Sequence, residues 1–315
     1  MEYLILIVSL AGIVYGADML VAGAVSIARK FRVSDFVIGA VIVGVGTSLP
    51  ELTVSFIGAL QGNPDVAIGN VVGSNIFNIA GILGATALFF PVAVSRDNMR
   101  FEIPLCIFVS LLLVLLTFNF FDGSVPSLGR ADGIVLLIVF SLFMWYSVYR
   151  DRKKNSGCRA EASPQEEGVA LWKASVKVLA GLVILIASCD FFVDNAIVIA
   201  KSWGMSDAVI SITLIACGTS LPEFAASIAA AVNKNTQMAL GNIIGSNIFN
   251  ITLILGLSSQ VCTLSSAGIG LTDYVVMAAV SVLPLLFGFR GRIGRAGGLA
   301  MLVLFIAYNV YLIAG

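Results

Sequence analysis

The 315-residue chain contains no histidine. That absence excludes His-ligated metals, Ser-His and Cys-His nucleophilic catalysis and histidine proton relays, so any ion chemistry has to use oxygen. Charge is scarce too: 11% of the residues are charged, against roughly 25% in soluble domains. The 18 Lys+Arg and 18 Asp+Glu cancel, which leaves no basic field to hold nucleic acid. Five cysteines, Cys106, Cys158, Cys189, Cys217 and Cys262, are odd in number and never spaced as CxxC. They read as small hydrophobes and not as a disulfide or zinc framework. The excess is apolar, 59% of the residues, with mean hydropathy +1.01. Disorder needs the opposite composition, and a polytopic membrane protein is what remains.

A spanning helix needs roughly 20 mostly apolar residues. On that scale the polar clusters divide the chain into ten segments, near Tyr3 to Ala28, Phe36 to Leu60, Val66 to Phe90, Phe101 to Asn119, Ala131 to Tyr149, Leu171 to Lys201, Ala208 to Val232, Met238 to Leu257, Tyr274 to Phe289 and Gly297 to Ile313. The expected fold is an all-α integral membrane protein, since a β-barrel would show short alternating strands. No basic region precedes the apolar run at Tyr3, so this run is expected to be the first span and not a cleaved signal. The one strongly polar stretch, RDRKKNSGCRAEASPQEEG from Arg150 to Gly168, predicts three parts: residues 1–149 as a first five-helix half, 150–170 as a linker, and 171–315 as a second half. Counted over alternate loops, 16 Lys and Arg fall in one set and only Arg130 and Lys201 in the other. The positive-inside rule puts the rich set, linker included, in the cytoplasm of a cell (inner) membrane protein and both termini outside.

The halves repeat. Sliding the chain by 172 residues lays Ser34 to Gly81 on Ser206 to Leu253 without a gap, with 23 identities in 48 columns. A repeat displaced by an odd number of spans has inverted topology, the plan of many secondary transporters, whose substrate sites lie near the midplane where repeats meet.

The identities cluster in GTSLPE (Gly46 to Glu51, Gly218 to Glu223) and in GN-two-residues-GSNIFNI (Gly69 to Ile79, Gly241 to Ile251). Pro50 and Pro222 lack an N–H, so each is expected to break its helix and free the carbonyls of Gly46 and Gly218. Freed carbonyls are tolerated in hydrocarbon only beside a neighbouring helix, a water-filled cavity or an ion. Next to each proline stands a carboxylate, Glu51 or Glu223, at a depth where charge costs upward of roughly 2.5 kcal/mol. Ion binding is the expectation; the alternatives are a protonated glutamic acid bonded between helices, or a loop position. Thr47, Ser48, Thr219 and Ser220 lie three or four residues earlier, on the same side of each helix. Ser74 and Asn78, like Ser246 and Asn250, are four apart and could line the same cavity. Asn70, Asn75, Asn242 and Asn247, with Gly69, Gly73, Gly241 and Gly245, fall on other faces and suit close helix packing. Asp18 and Asp190 match at the same offset and suit pairing near helix ends.

These paired blocks in two inverted five-helix halves resemble the cation/calcium antiporter superfamily, the sodium/calcium exchanger group in its compact prokaryotic form. The doubled block covers 96 of the 315 residues. The resemblance implies Ca2+ binding by Glu51 and Glu223 with the carbonyls of Thr47 and Thr219, and Na+ binding at Ser48, Ser74, Ser220 and Ser246 with the same glutamates. Family members often carry Asp at one or both positions matching Asn78 and Asn250. Here both are Asn, which removes a titratable group from the centre of the site.

The chemistry agrees: Ca2+ takes six to eight oxygens at about 2.3–2.6 Å, and two carboxylates neutralise it, whereas Mg2+ demands octahedral geometry and keeps its water. The expected function is a Ca2+/Na+ antiporter working by alternating access, not an enzyme, with the ions and the lipid bilayer as its partners. No cofactor and no obligate protein partner is expected. The runner-up is Ca2+(cation)/H+ exchange; further off stand a passive cation channel and an intramembrane hydrolase using the two glutamates.

Overall fold

The computed structural model describes residues 2–31, 33–118, 126–157, 171–203, 218–266 and 269–314. Arg32, Asn119, Cys158 with the linker from 158 to 170, and residues 204–217, which include Cys217 and the start of the seventh expected segment, lie outside them. The described chain is helical apart from four two-residue strands. Eight of its helices are long and apolar enough to cross a membrane, and nine when the broken pair Asp35–Thr47 and Leu49–Leu60 counts as one span. A shorter apolar helix, Leu221–Val232, occupies the second part of the seventh expected segment.

In chain order the helices are α1 (Glu2–Phe31), α2 (Asp35–Ile38), α3 (Gly44–Thr47), α4 (Leu49–Leu60), α5 (Pro64–Ile76), α6 (Gly84–Phe89), α7 (Ile103–Thr117), α8 (Arg130–Gly157), α9 (Leu171–Ser202), α10 (Leu221–Val232), α11 (Thr236–Phe249), α12 (Leu255–Val261), α13 (Leu271–Gly288) and α14 (Arg295–Ala314). Among the described residues there are four π-helical stretches: Gly39–Val43, Phe77–Leu83 and Asn250–Ile254 join neighbouring helices without a loop, and Asn98–Glu102 leads directly into α7. Starts follow local chemistry. Ser34 Oγ accepts from Val37 N ahead of α2, and Gly129 N and Gly270 N donate to Asp132 and Asp273 at the heads of α8 and α13. Helix α8 does not stop at Tyr149 but continues through Arg150–Gly157, the first part of the stretch expected to be linker. RDRKKNS offers strong helix formers and no breaker before Gly157.

The chain packs as two compact units, residues 1–47 with 141–242 and residues 48–140 with 243–315. Each draws on both halves of the repeat. In the first unit α1 and α9 are the main contact. Their seam is a core of small and branched side chains that includes Ile13, Ala17, Leu20, Ala24, Ala174, Val178 and Leu185. The backbones come so close that a Cβ on Gly16 would stand 2.7 Å from Leu185 N, and one on Gly181 2.6 Å from Leu20 N. Small residues substitute here for the hydrophobic drive that lipid removes. Gly16→Val or Gly181→Val is expected to destabilise the protein by about 1–3 kcal/mol, because backbone and not a movable side chain is the obstacle. Thermal unfolding in detergent measures this; an unchanged midpoint would mean the seam tolerates separation. Also in this unit, Asn233 Nδ2, at the end of α10, donates to Asp18 Oδ1 at 3.0 Å. Asp18 thus pairs at a helix end as expected, whereas Asp190 and Asp194 sit on an exposed face of α9.

In the second unit, α5 packs on α4 and α13, and α6 on α14. Two short antiparallel pairs tie its loops: Val92 and Ala93 face Ile293 and Arg292, and Ser127 and Leu128 face Ser265 and Leu264.

Candidate ion-binding site

The first GTSLPE block breaks its helix where proline requires. Helix α3 ends at Thr47, Ser48 leaves helical geometry (φ −83°, ψ 10°), and α4 begins at Leu49 with Pro50 in its first turn. In the second copy Ser220 adopts nearly the same angles (φ −91°, ψ 8°) and α10 begins at Leu221 with Pro222 in its first turn. Proline is at home there, because its missing N–H is one the first turn leaves unbonded anyway. The first block thus interrupts one helix and opens another, and in both copies the helix that begins there carries the glutamate in its first turn. The positive end of a helix dipole favours a carboxylate in that position. Glu51 and Glu223 are both fully buried, which removes the loop alternative.

The first unit holds Thr47, Thr219, Ser220 and Glu223. Thr47, Ser220 and Glu223 are wholly inaccessible, and Thr219 is partly exposed. Thr47 Oγ1 donates back to Val43 O at 3.0 Å and lies 3.3 Å from Asn242 Oδ1. Its hydroxyl thus makes the ordinary back-bond to the preceding turn; the role the family resemblance implies for Thr47 falls to its carbonyl. Asn242 Nδ2 donates to Glu223 O (3.1 Å) and to Ser227 Oγ (2.9 Å).

The second unit holds Ser48, Glu51, Ser74, Asn78, Ser246 and Asn250, each no more than 2% exposed. Asn70 repeats the behaviour of Asn242, its Nδ2 donating to Glu51 O (3.2 Å) and to Ser55 Oγ (2.9 Å). In each copy one asparagine braces the first turn of the helix that carries the glutamate. Ser55 and Ser227 escaped sequence reasoning, although their identity within the repeat, four residues after each glutamate, was the signal. Another was the S-x-x-E spacing at Ser48 and Ser220, which matches a capping box; the serine side chains make no capping bond, but the helices do start there.

Asn78 and Asn250 meet through their neighbours. Asn78 Nδ2 donates to Asn247 Oδ1 at 3.0 Å, and Asn250 Nδ2 to Asn75 Oδ1 at 3.1 Å. Among the described residues the Oδ1 atoms of Asn78 and Asn250 are buried with no hydrogen-bond partner. A buried, unsatisfied carbonyl oxygen is costly, and two at matched positions form a donor set suited to a hard cation or its water. Asn78 lies in a π-helical stretch and Asn250 opens another. Such turns gather at functional sites, and no sequence pattern pointed to them. The packing expectation holds at Gly241, where a Cβ would collide with Phe36 O, and fails at Gly73, where among the described residues a Cβ would meet nothing within 4 Å.

The family model described as sodium/calcium exchanger protein matches residues 1–149 and 173–314. A protein of Alkalimonas amylolytica named as an antiporter, CaxA, is 41% identical over 97% of both chains. The sodium/calcium exchanger MaX1 of Methanosarcina acetivorans is 33% identical over 99% of this chain and 98% of its own. The sodium-calcium exchanger NCX_Mj, solved after soaking with zero Na+ and Ca2+, superposes with a TM-score of 0.85 at 32% identity, over 99% of this chain and 98% of that one.

Proposed function

The chain belongs to the sodium/calcium exchanger family, as a multi-pass membrane cation antiporter of that type, and from this premise we propose that it exchanges Ca2+ for Na+ by alternating access. Glu51 and Glu223 are the carboxylate ligands for Ca2+, with the Thr47 and Thr219 carbonyls. Ser48, Ser74, Ser220 and Ser246 supply Na+ ligands, and Asn78 and Asn250 contribute amide oxygens. The observation that carries this reading is the doubled, fully buried glutamate in the first turn of a helix opened by proline. An acid there lies in hydrocarbon without a purely structural reason to exist twice. Calcium, needing six to eight oxygens, matches a site rich in carbonyls and hydroxyls. Na+ fits the coupling role better than H+, since the paired central amides do not titrate.

The proposed architecture is ten transmembrane helices in two inverted five-helix repeats, residues 1–149 and 171–315, joined by a cytoplasmic linker at 150–170. Both termini lie outside the inner membrane. Two facts support this. The β1 (Val92–Ala93) to β4 (Arg292–Ile293) pair joins two loops from the Lys/Arg-rich set, and the β2 (Ser127–Leu128) to β3 (Leu264–Ser265) pair joins two loops from the poor set. An impermeant thiol reagent should spare Cys158 in right-side-out vesicles until the membrane is opened; labelling from outside would reverse the orientation.

The transport reading is tested in everted vesicles from cells expressing the chain. Loaded with Na+, they should accumulate Ca2+ faster than vesicles made from cells with an empty vector. Equal rates would remove the proposal.

A further inference from the structure

We infer that Asn75 and Asn247 are positioning residues that fix the amide orientation of Asn78 and Asn250; this rests on the proposed ion-binding role of the latter pair. Asn75 Nδ2 donates to the backbone carbonyl of Asn247 at 3.2 Å, and Asn247 Nδ2 donates to that of Asn75 at 3.1 Å. The two positions are related by the 172-residue repeat, and all four asparagines lie in one compact unit, none more than 1% exposed.

A backbone carbonyl can only accept. Each of these bonds therefore dictates which end of the Asn75 or Asn247 amide is nitrogen, and it turns Oδ1 toward the neighbouring asparagine. That oxygen in turn can only accept, so it takes Nδ2 of Asn250 or Asn78. The remaining end of Asn250 and of Asn78 is then necessarily oxygen, and these are the two buried Oδ1 atoms with no hydrogen-bond partner among the described residues. The order runs from backbone to first amide to second amide to a presented oxygen, twice, with each repeat setting the orientation of the other's ligand. An amide free to turn would offer a cation its N–H groups about as readily as its oxygen, and N–H groups repel a cation. The asparagines that looked like packing residues thus act on the ion through their neighbours.

A double-mutant cycle tests this. Asn75→Ala should raise the Ca2+ KM by about tenfold with little change in kcat, and the effect should vanish in an Asn250→Ala background, since coupled neighbours are non-additive. The mirror cycle pairs Asn247→Ala with Asn78→Ala. Asn75→Ser serves if Asn75→Ala folds poorly: its hydroxyl can still reach toward the Asn247 carbonyl but is too short to hold Asn250. The same cycle read as a Ca2+ Kd on purified protein needs no transport, so failure of antiport and failure of positioning separate cleanly. Additive effects in the two cycles, or an Asn75 variant with wild-type Ca2+ affinity, would overturn the inference.

Discussion

Glu51→Gln and Glu223→Gln are each expected to abolish Ca2+ transport while leaving a folded, inserted protein. Glutamine keeps the shape and one acceptor oxygen of each side chain, so the first turns of α4 and α10 and their braces from Asn70 and Asn242 to the backbone carbonyls survive. What changes is charge. Two carboxylates neutralise one Ca2+; one carboxylate leaves a net positive charge buried where the dielectric is low. Removing one partner from a buried charge pair costs about 3–5 kcal/mol, more than a hundredfold in affinity. The variants should run as monodisperse protein on size exclusion, unfold near the wild-type temperature without ions, and lose the rise in unfolding temperature that Ca2+ gives the wild type. If both variants transported Ca2+ normally, the ion would have to bind elsewhere.

The second large effect is a response to voltage. With the proposed ligands, two glutamates carrying Ca2+ are neutral, whereas the same glutamates carrying three Na+ through the serines and freed carbonyls, as the family resemblance implies, would hold one positive charge more. Exchange is then electrogenic. The membrane field contributes about 2.3 kcal/mol per elementary charge per 100 mV, so an inside-negative potential should drive Na+ entry and Ca2+ exit, with the rate rising as the potential grows. Proton coupling would behave differently: with no histidine and with Asn78 and Asn250 neutral, the protons would sit on the two glutamates themselves. Two protons against one Ca2+ move no charge, and such exchange would ignore the field.

How far the sequence carried these conclusions differs by residue. The membrane class was legible from composition, and the helix break before Pro50 and the helix start at Pro222 from the prolines, because a missing N–H acts locally and needs no partner. The burial of Glu51 and Glu223 was legible from their place in apolar segments. Asn78 and Asn250 were legible as site candidates from their four-residue spacing to Ser74 and Ser246; the part played by Asn75 and Asn247 was not. Helical periodicity set Asn75 and Asn247 on a different face from Asn78 and Asn250, but the spacing within one segment says nothing of bonds made to the other copy of the repeat, and that is where both amides go. Gly73 was misread because GxxxG spacing marks only the possibility of close approach, and among the described residues no backbone comes near it. The apolar span read as Ala131 to Tyr149 matches the one found at Arg130–Arg150, and α8 runs on past it to Gly157, since charged residues end only the apolar part of a helix.

The most direct test is Ca2+ uptake by proteoliposomes loaded with Na+ and diluted into Na+-free medium, with K+ and valinomycin holding the potential at zero and an uncoupler removing any pH gradient. The account predicts that Ca2+ accumulates above its equilibrium level, that collapsing the Na+ gradient with an ionophore stops accumulation, and that making the interior negative slows it. Uptake that persists without Na+, follows an imposed pH gradient and is indifferent to voltage would contradict Na+ coupling and favour proton exchange.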